Sequence, residues 1–407
     1  PVINLGYEPQ WVLIKDTTSG VQDWILQDTM RGMTVTAGVG AYVKPNTSSA
    51  EFATSYVTPQ PTGFQINQTS GQVNTSGNTY IYIAIRRGPM ATPTSGTEVF
   101  APVTYTATDT DGRLINSGFP VDSAIIDPRN GYSTPGGPNW FSRLTGNGRF
   151  VNTAATTAEL DGSSNSNGIM GQDGITVSRT GTNVWSNVGS NPYVAWFLKR
   201  APSFFDVVCY TGTGVARTVN HNLGVAPEFF IIKRRDGTSS GINWHKDLST
   251  PTQSFLFIGG TQAELASALV WDNTYPALES SFVLGSATGL NSSGATYITY
   301  LFASCPGVSK VGSYTGTAAD INVDCGFTTG ARFVLIKRTD STGNWYVWDS
   351  ARGIVSGNDP YLLLNYLAAE VTGTDYVDAD PAGFTVTSSA PAELNASGGT
   401  YIFLAIA

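Results

Sequence analysis

Apolar residues fall in short runs along this chain, and the stretches between them are rich in Gly, Ser, Thr and Asn. Gly63-Phe64-Gln65-Ile66-Asn67 alternates apolar with polar, the period of a strand that buries one face. Trp11-Val12-Leu13-Ile14-Lys15 and Trp24-Ile25-Leu26 are strand-like, and Thr17-Thr18-Ser19-Gly20 between them is turn chemistry. Helical spacing is best at residues 261–269, and it predicts a short helix there.

The last apolar run, Tyr401-Ile402-Phe403-Leu404-Ala405-Ile406-Ala407, has three earlier versions that begin at Tyr80, Tyr193 and Tyr297. These tyrosines are 113, 104 and 104 residues apart. Leu13-Ile14, Ile125-Ile126, Ile231-Ile232 and Leu335-Ile336 keep nearly the same beat, at 112, 106 and 104. So does an acid or amide before tryptophan, at Trp24, Trp140, Trp244 and Trp345, with spacings of 116, 104 and 101. Three landmarks in one order predict four copies of one module, and a period near ~100 residues is a whole domain. The expected boundaries are residues 1–90, 91–202, 203–306 and 307–407. Residues kept in all four copies are expected to serve the fold, so the four tryptophans are read as core or inter-sheet residues.

The fourth repeat shows about seven short strand-like runs, among them Phe333-Val334-Leu335-Ile336-Lys337, Trp345-Tyr346-Val347-Trp348 and Gly383-Phe384-Thr385-Val386. Short strands with frequent turn signals predict an all-β chain of four tandem antiparallel β-sandwich, jelly-roll-like domains. The second repeat diverges most, with a Gly/Asn/Ser tract over residues 161–168 that reads as a loop. Repeats two to four each open on a strand motif, at Tyr105-Thr106-Ala107-Thr108, Tyr210-Thr211-Gly212-Thr213 and Tyr314-Thr315-Gly316-Thr317. The first repeat lacks it and should expose an unpaired sheet edge. Two remedies are open: sequence upstream of Pro1, which we favour, or a strand from a neighbouring subunit. Arg87-Gly88-Pro89 is read as the stop after the first closing strand.

Charged residues make up only 13% of the chain, and the net charge is −8 with 22 Lys plus Arg. The basic footprint that nucleic acid requires is missing, so no nucleic-acid partner is expected. No apolar run reaches the ~18 residues of a membrane span. The three cysteines, Cys209, Cys305 and Cys325, are too few for a disulfide framework or a zinc site; Cys305 and Cys325 could pair, but the odd count and low density fit free thiols in a reducing compartment.

Candidate chemistry is sparse. His221 sits in a turn before a strand and reads as a satisfied turn residue. His245 and Asp247 share a strand face and could mimic part of a triad, but no Gly-x-Ser-x-Gly elbow accompanies them. Glu264, Asp272, Glu279, Asp375, Asp378 and Asp380 are the acids that a carboxylate pair for glycosidic cleavage would draw on. Asp109-Thr110-Asp111-Gly112 is a fragment of a calcium loop without the full ligand ladder, and reads as a turn. No catalytic residue, cofactor or metal is expected.

The run from Val207-Val208-Cys209-Tyr210 through Asn220-His221-Asn222-Leu223-Gly224 to Ile231-Ile232-Lys233 resembles a module of tail and appendage proteins of tailed bacteriophages. Asn344-Trp345, Gly383-Phe384-Thr385-Val386, Leu394-Asn395 and Thr400-Tyr401-Ile402 carry the same resemblance in the fourth repeat. It implies a virion structural protein, a tail fibre, spike or appendage that contributes to host attachment. Other virion proteins and a host surface glycan or protein would be its partners. A homo-oligomer is expected, and the resemblance implies a trimer. Capsid decoration and a tail enzyme that cleaves polysaccharide are the alternatives.

Overall fold

The computed structural model of the chain describes residues 1–86, 91–131, 137–162, 167–179 and 186–407. Residues 87–89 and the middle of the 161–168 tract lie outside the described residues. The chain is all-β, with 40% strand, 4% helix and several antiparallel sheets in sandwich-like pairs. Among the described residues no helix is long and apolar enough to cross a membrane. The chain divides into two compact units, Pro1–Ala91 with Ser142–Asn147, and Thr92–Phe141 with Gly148–Ala407.

Among its described residues the second unit holds three pairs of sheets. In the third repeat the large sheet runs, edge to edge, through Phe205–Thr211, Thr296–Phe302, Phe229–Arg234, Ile242–His245, Ser254–Phe257 and Leu265–Ala266. Its small sheet pairs Arg217–Asn220 with Ser281–Leu284. The same order recurs in the second repeat, from Phe100–Thr106 and Pro192–Leu198 through Ser123–Pro128. It recurs again in the fourth, from Ser309–Thr315 and Thr400–Ile406 through Phe333–Arg338.

One face of each large sheet packs on its own small sheet. Val334, Ile336, Trp348, Phe384 and Phe403 form such a core in the fourth repeat. The apolar runs do not alternate, however: Phe229-Phe230-Ile231-Ile232 is buried at every position. A period-2 strand of that composition needs cover on both faces. The second cover comes from the neighbouring repeats, as described below.

The first unit has two three-stranded sheets. Pro9–Asp16 lies between Ile25–Asp28 and Tyr80–Arg86, and Gly63–Ile66 lies between Val2–Asn4 and Val57–Gln60. Val12, Ile14, Ile25, Val57 and Phe64 fill the space between them. The closing strand Tyr80–Arg86 is the sheet edge, as the missing leading strand predicts.

The four tyrosine landmarks are register-equivalent. Tyr80, Tyr193, Tyr297 and Tyr401 lie opposite Asp16, Pro128, Arg234 and Arg338 respectively. In three of the repeats the hydroxyl closes the preceding loop in one way. It donates to the carbonyl nine residues back (Gly71, Thr288, Ala392) and accepts the N–H five residues back (Thr75, Ser292, Ala396). Each leading-strand tyrosine stacks on its partner, at 5.2 Å for Tyr105–Tyr193, 5.1 Å for Tyr210–Tyr297 and 4.8 Å for Tyr314–Tyr401.

One expectation is corrected and one open alternative is closed. Residues 261–269 do not form one helix: Leu265–Ala266 pairs with Ser254 and Phe255 as a strand. Helix begins only at Ala268–Trp271, where the Ser267 hydroxyl accepts the Leu269 N–H. Strand pairing thus claims the backbone that the apolar spacing assigned to a helix. Cys305 and Cys325 do not pair: all three cysteines are free and buried. Burial pushes the Cys325 thiol up to about 12.

Candidate functional site

The second faces of the three large sheets in the second unit converge on an apolar junction. Ile125, Trp140, Trp196 and Leu198 come from the second repeat, Phe229, Ile231 and Phe302 from the third, and Phe333, Leu335, Leu404 and Ile406 from the fourth. Trp140 stacks on Tyr300 with ring centres 3.6 Å apart, and Phe229 on Trp345 at 6.1 Å. Phe333 meets Phe100 and Trp196 edge-on at 5.4 and 6.0 Å. The register is shared. Trp196 lies opposite Ile125, Tyr300 opposite Ile231 and Leu404 opposite Leu335, so the three sheets present the same positions to one another.

Three backbone latches close this junction into a cycle. The Glu159 N–H donates to the Arg235 carbonyl, Glu264 to Thr339, and Glu370 to Arg129. Each acceptor ends the equivalent strand, because the N–H of Arg129, Arg235 and Thr339 donates to Pro192, Thr296 and Thr400 in turn. The second repeat therefore donates to the third, the third to the fourth, and the fourth back to the second. Ion pairs reinforce two latches: Arg235 to Glu159 at 2.7 Å and Arg129 to Glu370 at 2.7 Å. Hydrogen bonding to Glu370 raises the Arg129 guanidinium above its ordinary range. At the remaining latch Thr339 replaces the arginine, and Glu264 binds the Ser249 N–H and hydroxyl instead.

Buried polar groups line the same joints. Trp196 Nε1 donates to Asp349 Oδ2 at 2.8 Å, and Arg352 Nε donates to that oxygen at 2.6 Å. Lys233 Nζ donates to the Ala155 carbonyl and Lys337 Nζ to the Thr261 carbonyl. Burial pushes both ammonium groups down to about 8.

The tryptophan landmarks therefore divide. Trp244 stacks on Phe230 within its own repeat at 5.2 Å, whereas Trp140 and Trp345 face a neighbouring repeat. Trp24 is half-buried. They are not register-equivalent: Ile231 lies opposite Asn243, and Leu335 opposite Val347, so Trp348 rather than Trp345 matches Trp244.

Of the titratable candidates, His221 is held in its turn, accepting the Leu223 N–H, and burial lowers its pKa. Burial pushes His245 down to about 3, and its Nδ1 accepts the Asp247 N–H. Asp247 stands 4.0 Å away and pairs with Lys246, so the two residues share a turn and not a proton relay. Asp109 and Asp111 cap backbone N–H groups of Gly189 and Arg179, as a turn should. Asp380 accepts the Ala382 N–H, Asp272 ends a helical turn at φ 54°, and Glu279 is exposed.

Asp375 and Asp378 do come together, with Asp359, a residue that no sequence motif singles out. One carboxylate oxygen from each lies within 4.8 Å of the others. Three such oxygens suit a hard divalent cation, and these residues could hold one. Burial raises the Asp359 carboxyl to about 7, against the Val355 N–H that opposes it, with Asp378 and Asp375 adding to the rise. The folded chain then keeps a proton that the unfolded chain has lost above about pH 4. His221 and His245, whose pKa values are lowered by burial, make stability rise with pH over the same window, so the Asp359 contribution is read as a difference. In buffer with a chelator, the melting temperature of the wild type relative to Asp359→Asn is expected to fall as pH rises from 5 to 7 and then to level; a difference that does not change with pH would refute the assignment.

No curated protein matches the chain. The sequence matches the family described as a domain of unknown function, DUF7483, over residues 1–89 and 95–407. That match spans nearly all of the chain, and the chain belongs to the DUF7483 family.

Proposed function

We propose that the chain is a structural component of a bacteriophage virion, four β-sandwich modules of a tail fibre, spike or appendage that helps attach the particle to its host. The observation that carries this reading is the use of the recurring aromatics. Tyr297 and Tyr401 close loops, and Trp140 and Trp345 fasten one repeat to the next. A chain whose most specific residues hold β-modules together serves as a rigid part, and the loops at the sandwich ends are where such a part meets a surface. The resemblance of residues 207–233 to phage appendage modules supports the same reading. Other virion proteins and a host surface glycan or protein are its partners.

Antibody labelling of purified particles is expected to mark the tail. Label over the head shell would favour capsid decoration instead. Absence of the chain from particle proteins by mass spectrometry would overturn the reading altogether. Release of reducing sugar from host envelope by the purified chain would move it to the enzymes.

A further inference from the structure

The first repeat carries the parts of the three-membered junction without its neighbours. Leu13 lies opposite Ile83, and Trp11 opposite Ile85. That is the register of Ile231 with Tyr300 and of Phe229 with Phe302. In the third repeat these positions are buried, with Tyr300 and Phe302 at 1% and 3% exposure. In the first unit Ile83 and Ile85 stand 55% and 48% exposed. Isolated exposed isoleucines need no explanation, but an apolar sheet face in the register of a buried one does.

Both halves of the latch are present as well. Phe52 pairs with Tyr42 as Leu265 pairs with Phe255, so Glu51 stands where Glu264 stands. The Thr17 N–H donates to the Thr79 carbonyl as Thr339 does to Thr400, so the Thr17 carbonyl stands where the Thr339 acceptor stands. Glu51 and Thr17 are exposed.

We propose that the first unit closes the same ring with the first units of two further copies of this chain, giving a threefold homotrimer. Each copy supplies one donor, at Glu51, and one acceptor, at Thr17. A head-to-tail contact of that kind closes only when the rotation between partners completes a circle. Among the last three repeats it completes at three. A twofold dimer would set Glu51 against Glu51 and Thr17 against Thr17, and would leave the latch unmade. The Ile83 and Ile85 side chains of three copies would then meet along the axis, as Phe302, Ile406 and Leu198, the counterparts of Ile85, line one apolar junction in the second unit. This inference does not depend on the virion reading.

The test is the mass of the full 407-residue chain in solution, by light scattering and sedimentation. The expected species is three times the 43.1 kDa chain. Ile83→Asp and Ile85→Asp are expected to yield monomers, while Leu114→Asp, at an exposed apolar site in the second repeat, leaves the trimer intact. Should the aspartates disturb the first unit, Glu51→Pro removes the N–H donor at an exposed position and should weaken association by about tenfold or more, whereas Glu51→Ala, which removes only the carboxylate near Arg31, should weaken it less. Wild-type monomers or dimers would overturn the proposal. So would a trimer indifferent to Glu51→Pro, Ile83→Asp and Ile85→Asp.

Discussion

Asp349→Ala is expected to destabilise the second unit by about 3–5 kcal/mol, the range for removing one partner of a buried ion pair. Asp349 and Arg352 both have fully buried side chains. The aspartate accepts from Trp196 Nε1, from Arg352 Nε, and from the N–H groups of Ala351 and Arg352. Alanine would leave the indole N–H without its acceptor and the buried guanidinium with only Glu370 and the Val347 carbonyl, and each lost partner costs desolvation. The damage should spread across the joint, because Trp196 belongs to the second repeat and Asp349 to the fourth. Asp349→Asn keeps an acceptor for the indole but loses the charge, so its loss should be intermediate. Asp349→Ala with Arg352→Met should recover part of the loss, since no unpaired charge remains. Denaturant unfolding of the four proteins measures this series. A loss below about 1 kcal/mol for the alanine variant would place the pair outside the load of the fold.

Trp140→Ala is expected to cost a similar amount, about 3–5 kcal/mol, from a lost indole and the cavity left behind. The ring is 2% exposed, stacks on Tyr300 and donates from Nε1 to the Ser123 hydroxyl at 2.7 Å. Trp140→Phe should lose less, because it keeps a stacked ring. Trp24→Ala, at a half-buried site, should cost clearly less than Trp140→Ala. Equal losses at positions 24 and 140 would contradict the placement of these two residues in different surroundings.

The contrast between tyrosine and tryptophan shows what the sequence made legible. The tyrosines hold one register because each is tied to its own strand and Tyr80, Tyr297 and Tyr401 also to their own loops, constraints local in the chain. Spacings of 104 between Tyr193, Tyr297 and Tyr401 report that register directly. The last tryptophan spacing, 101, already departed from the beat; Trp348, 104 residues after Trp244, is the match. Glu159, Glu264 and Glu370 are 105 and 106 apart, a signal as regular as the tyrosines, but it lies in polar stretches where an acid needs no special cause. The uninterrupted burial of Phe229–Arg234 follows from composition, yet composition does not say what covers the second face. That depends on contacts between repeats, which leave no local period. The acidic cluster was half legible for a similar reason: Asp375 and Asp378 are near neighbours in sequence, whereas Asp359 arrives from a separate loop.

The direction built into the latch has a consequence for engineering. The second unit consumes its own donors and acceptors, so it is sealed against growth through this contact. Excising any one of its repeats would do more than shorten the chain. It would leave a sticky front and a sticky back on a body that can no longer bite its own tail, and such bodies string into open polymers.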